Sequence, residues 1–74
     1  MITVDVPGTG RKIENYMEEQ NISVIDIQQR LNLARPQAVY KWIWGMNLPK
    51  IDHLVILADM FGVTMDDIVV TKRI

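Results

Sequence analysis

Gln37, Lys41 and Trp44 stand four and then three residues apart, the spacing that sets side chains on one face of an α-helix, and here it lines up an amide, a cation and a flat indole. An amide both donates and accepts, and an ammonium donates only. A helix that shows the two outward is able to sit in the major groove of DNA, where base edges offer matching groups. The same pattern also suits the solvated face of an ordinary amphipathic helix, so these residues alone leave both readings open. The rest of the chain offers no competing reaction centre. Glu14, Glu18, Glu19, Asp66 and Asp67 fall at helix-surface or capping positions, with no nucleophile and base set side by side. Gly8-Thr9-Gly10 lacks the remaining parts of a nucleotide-binding loop. With no cysteine and His53 as the one histidine, no metal centre or cofactor is expected, and the methionines read as core or interface fillers. The expectation is a chain that is not an enzyme.

The elements that must hold this face can be read from apolar spacing and punctuation. Pro36 suits the first position of a helix, because its fixed φ fits there and its missing N–H would be unpaired anyway. Val39, Trp42 and Ile43 then form a stripe that has to be buried, and Gly45 ends the helix. Before it, Ser23 is a good N-cap for a helix running to about Leu31 with Val24, Ile27 and Leu31 inward. Ile13, Tyr16 and Met17 mark a helix from about Gly10 to Gln20. Asn21 and Asn32 stand at helix ends where a left-handed residue is wanted. After Pro49, a broad apolar helix spans Ile51 to Phe61, Gly62 stops it, and Thr64 with Asp67 has the form of a capping box for a short fifth helix. MITVDV at the start alternates like a strand that ends at Pro7-Gly8, and Ile68 to Thr71 is the other β-branched run, so the termini are candidates to pair, within one chain or between two. The expected fold is all-α: a five-helix bundle over about residues 10–70 containing a helix-turn-helix, one domain across 1–74, with a short β pairing of the ends.

Seventy-four residues give too little core for a deep catalytic pocket. No apolar run is long enough to span a bilayer and the start lacks the pattern of a signal peptide, which gives a cytoplasmic expectation. The net charge of −1 argues against indiscriminate binding to nucleic acid through a large positive field. Its distribution is uneven. Residues 1–26 carry five acids and two bases, residues 27–51 carry Arg30, Arg35, Lys41 and Lys50 with no acid, and residues 52–74 carry four acids and two bases. The positive charge is therefore concentrated around the Gln37-Lys41 helix, as a modest basic face on an acidic body.

The order of these parts resembles the Cro/cI-type, XRE-family helix-turn-helix domain over roughly residues 11–70. Its most specific piece is Pro36-Gln37-Ala38-Val39-Tyr40-Lys41-Trp42, followed by Gly45 and Asn47-Leu48-Pro49. This is similar to a bacterial subgroup whose third helix reads P-Q-A-V-Y-K-W ahead of an N-L-P loop, and Leu57-Ala58-Asp59 with Phe61-Gly62-Val63 resembles the end of the family's fourth helix. The resemblance implies that Arg35, Pro36, Gln37, Tyr40 and Lys41 approach bases and nearby phosphates. Gln37 would face an adenine edge and Lys41 a guanine O6 or N7. Ser23 and Val24 lie where the second helix of the family meets the DNA backbone.

Departures from the pattern matter as well. Val24 replaces a glutamine that often touches phosphate, and Met17 and Ile43 stand where many members pair an arginine with a glutamate. An apolar pair can replace such an ion pair without loss, so the two are expected to face each other. Trp44, usually polar in relatives, is left to pack on deoxyribose or phosphate, on another subunit, or on its own loop. The function implied is a sequence-specific, repressor-like regulator of transcription that binds double-stranded DNA as a homodimer on two half-sites, without membrane or metal. The alternative is an antitoxin-like or adaptor module on the same fold, one that binds protein and has lost groove reading. The acidic total, Val24 and Trp44 favour it.

Overall fold

The computed structural model describes all residues from Met1 to Ile74. In chain order the elements are β1 (Ile2–Val4), α1 (Val6–Gln20), α2 (Val24–Arg30), α3 (Gln37–Ile43), α4 (Ile51–Phe61), α5 (Met65–Ile68) and β2 (Thr71–Arg73). The five helices enclose a core of Ile13, Met17, Ile27, Leu31, Val39, Trp42, Leu54, Leu57, Ala58, Phe61 and Ile68. The fold is thus a helical helix-turn-helix bundle, with a small antiparallel sheet joining its ends. In that sheet Ile2 faces Arg73, Thr3 faces Lys72 and Val4 faces Thr71, within one chain. The second strand lies further along than the Ile68 to Thr71 run, because Ile68 is needed inside the core as the last residue of α5.

The first helix begins four residues earlier than its apolar spacing suggests. Val6, expected in the strand, opens it, and Pro7 and Gly8, expected to end the strand, lie in its first turn. Asp5 explains this. Its carboxylate accepts from the N–H of Gly8 at 2.9 Å, an N-cap that closes the turn, and proline is at home there. Gly10, read as a boundary, lies inside the helix for a steric reason. A Cβ on it would fall onto the carbonyl oxygen of Trp42 and lie 3.0 Å from that of Ile43. The backbones of α1 and α3 therefore meet where no side chain fits, and Gly45, at φ +74°, sits against Pro7 in the same seam.

The expected left-handed asparagines are in place, Asn21 at φ 56° and Asn32 at φ 55°. Asn21 lets the chain leave α1 directly for Ser23, the N-cap of α2. The turn into α3 is held by Gln28, whose amide donates to the carbonyls of Leu33 and Ala34 at 3.4 Å each. At the far end Thr9 is buried, and its hydroxyl accepts from the N–H of Val70 at 3.0 Å, which ties the last strand to the first helix.

Replacing Gly10 by alanine should gain about 1 kcal/mol of helix propensity yet destabilise the protein by a net 2 kcal/mol or more, since backbone cannot yield as a side chain end does. Gly62, at φ +70° with open space around it, should cost only about 1 kcal/mol on the same change, from the left-handed backbone alone. Urea unfolding of the two variants checks this; equal losses would contradict the close-packed seam.

Candidate nucleic-acid interface

Helix α3 divides cleanly into two faces. Val39 and Trp42 are buried, and Ile43 is half-buried beside them. Gln37, Lys41 and Trp44 are all exposed, as their spacing predicts. Lys41 is in no ion pair, and no side chain caps the start of the helix at Pro36. Arg35 is also exposed and unpaired, just ahead of it. Arg30 is different: its guanidinium binds Asp59 at 2.9 Å in the single salt bridge of the chain. The free positive charge of this side is therefore carried by Arg35, Lys41 and Lys50.

Trp44 stands 67% exposed and does not fold back on its own loop. It stacks on Tyr40, one turn earlier, with ring centroids 5.4 Å apart. The two rings form one wall of an open cleft of about 420 Å³ between α1, the start of α2 and α3. Met17 and Ile43 both line that cleft, Met17 from α1 and Ile43 from α3. Glu14 and Glu18 stand on its α1 side, and Ser23 and Val24 on the side of α2.

At Ser23 a capping box is complete. Its hydroxyl oxygen accepts from the N–H of Asp26 at 3.0 Å, and the Asp26 carboxylate accepts from the N–H of Ser23 at 2.8 Å. The backbone N–H of Ser23, and after it the Ser23 hydroxyl, hold the Asp26 carboxyl below its ordinary value of 3.8. The start of α2 is thus already provided with a negative group. Val24, half-buried, has only a methyl surface to offer a phosphate.

On the other flank of α3 the structure assembles a group that spacing along one helix does not reveal. Lys41 shares a cleft of about 370 Å³ with Asn47 and Lys50 from the following loop and with His53 from α4. His53 is half-buried with its ring centroid 5.9 Å from that of Trp42. These are four side chains that can donate to an anion, and no carboxylate lines the cleft. The surplus of bases over residues 27–51 was the only sign of it in the sequence. Assigning Lys50 and His53 needed the path of the loop.

The family profile of the Cro/C1-type HTH DNA-binding domain matches residues 12–73. The chain belongs to that family. Comparison with curated proteins and with solved structures gives no significant match. Membership makes the chain a DNA-binding domain of the kind found in transcription regulators, and α2 with α3 is its helix-turn-helix. No group of three or more His, Cys, Asp or Glu side chains is placed to hold a metal ion, and no helix is long and apolar enough to cross a membrane.

Thr64 and Asp67 repeat the capping box at α5, and the Asp67 carboxyl is likewise lowered by the backbone and hydroxyl of Thr64. Both groups have lower values folded than unfolded, so their contribution to stability is full above the unfolded value of 3.8 and is lost as pH falls from there through the depressed values. Asp26→Asn and Asp67→Asn should each flatten the loss of thermal stability between pH 4 and pH 2, while a fall as steep as in the parent would contradict the capping role.

Proposed function

We propose that this domain is a sequence-specific transcriptional regulator of repressor type, which lays α3 in the major groove and acts as a homodimer in the cytoplasm. The observation that carries the proposal is the outward pair Gln37 and Lys41, free of any partner in the protein, on a helix whose opposite side is locked by Val39 and Trp42. Gln37 has the donor and acceptor for an adenine N6 and N7, and Lys41 donates to guanine O6 or N7. Arg35, with Pro36 opening the helix, lies at its leading end. Tyr40 and Trp44 offer a flat surface to a sugar, and the Ser23 hydroxyl with the Val24 methyls covers the adjoining backbone. Lys50, Asn47 and His53 would take a phosphate on the opposite flank of α3. The P-Q-A-V-Y-K-W sequence supports grouping the chain with the bacterial regulators that share it.

A seven-residue helix that carries Lys41, with Arg35 and Lys50 as the only free cations beside it, covers few base pairs, so two half-sites about 34 Å apart are needed for useful affinity. One feature favours a second reading, a protein-binding module that has given up groove reading: Glu14 and Glu18 on the wall of the aromatic cleft and Asp26 at the start of α2 would all repel a phosphate there.

Binding to a selected duplex should weaken steeply with salt, with a log–log slope of about −0.9 for each phosphate neutralised. Lys50→Ala should make that slope shallower by about 1 without altering base preference. Gln37→Ala should relax preference at one base pair, by about 1–3 kcal/mol. Fluorescence anisotropy across a salt series measures all three. A flat salt response, or no duplex bound by the parent protein, would refute the regulator and favour the protein-binding module.

A further inference from the structure

Part of the exposed apolar surface of this domain is gathered in one place. Val4 of β1, Leu48 and Pro49 of the loop, Ile51 and Leu54 of α4, and Val69 line one groove of about 220 Å³. Ile2 shares the sheet face of Val4, two residues on, and Val55 lies one turn beyond Ile51 on the helix. Ile51 is 70% exposed, Ile2 59% and Val55 51%, values that suit no core role. With Leu48, these side chains leave on the order of 400 Å² of apolar surface in contact with water, as much as the largest patch of a typical monomer.

We infer that this face, built from β1, the loop before α4 and the first turns of α4, binds the same face of a second copy of the chain. A standard interface takes about 800 Å² from each partner. The four exposed side chains supply about half of that. Charge placement favours self-association over an unrelated partner. Arg73 lies beside Ile2 on the same sheet face, because the two are paired across the strands. Asp52 follows Ile51 and stands three residues before Val55 on the helix side of the face. Neither is in an ion pair within the chain. In a two-fold contact each patch meets itself, so the strand end of one copy crosses the helix of the other, and Arg73 meets the partner's Asp52 twice over.

The position also suits the proposed function. Leu48 lines both this groove and the cationic cleft beside Lys41. A dimer closed here joins the two copies next to their α3 helices. The inference rests on the homodimer of the proposed function, but its test needs no DNA, so loss of this face and loss of duplex binding are read separately.

Sedimentation velocity of the whole chain over about 1–200 μM, a span chosen around the micromolar range of modest interfaces, should show a dimer. Ile51→Asp and Val55→Asp should each raise the dimer dissociation constant at least tenfold while leaving the helical circular dichroism spectrum unchanged, since both side chains are exposed. Asp52→Arg and Arg73→Asp should each weaken the dimer, and the double variant should recover most of the loss. A parent chain that is monomeric throughout, a dimer indifferent to Ile51→Asp, or a charge-swapped double variant no better than the single ones would overturn the inference.

Discussion

The outward face of Gln37 and Lys41 depends on one contact between backbones, where α1 passes the carbonyls of Trp42 and Ile43 at Gly10. Side chains usually keep helices 8–10 Å apart. A glycine at the crossing lets the two chains close further, and the approach is so tight that even a methyl group has no room. Because the contact falls on the last turn of α3, it fixes both the depth and the rotation of that helix. Val39 and Trp42 are then turned inward, and Gln37 and Lys41 have nowhere to point but outward.

The rest of the architecture supports that seam from its ends. Asp5 caps the helix in front of Gly10, Gly45 lets the chain turn away beside Pro7, and Thr9 holds the last strand through the backbone of Val70. This joins the two termini to the same short stretch of α1 that positions α3. A small domain without disulfides thereby obtains a closed perimeter from a handful of hydrogen bonds and one strand pair. The absence of an ion pair between α1 and α3 is consistent with this arrangement. Met17 and Ile43 need no desolvated charge to hold a crossing that the backbone already defines.

Much of this could be read from residue order. Helices α2 to α5 follow from apolar spacing together with Ser23, Thr64, Gly45 and Gly62, each of which carries a local preference strong enough to act alone. The two left-handed asparagines were legible for the same reason. The start of α1 was not, because Pro7, Gly8 and Gly10 individually disfavour a helix, and only Asp5 before them and the carbonyls of α3 above them reverse that preference. The outward face of α3 was legible because it is periodic within one element. The cleft of Lys41, Asn47, Lys50 and His53 was hidden because it joins three elements across a loop, and the Tyr40–Trp44 stack emerges only when both rings are left exposed. The family profile adds what neither spacing nor geometry supplies, namely that this arrangement of helices belongs to a DNA-binding domain.

The central claim is that the face opposite the Gly10 seam reads base pairs. Selection of bound duplexes from a randomised DNA pool tests it most directly, run in parallel for the parent chain and for Gln37→Ala. The account predicts an enriched sequence with two inverted half-sites about one helical turn apart, degraded at one symmetric position by the substitution. A pool that shows no enrichment, or a sequence preference untouched by the loss of Gln37, would contradict it.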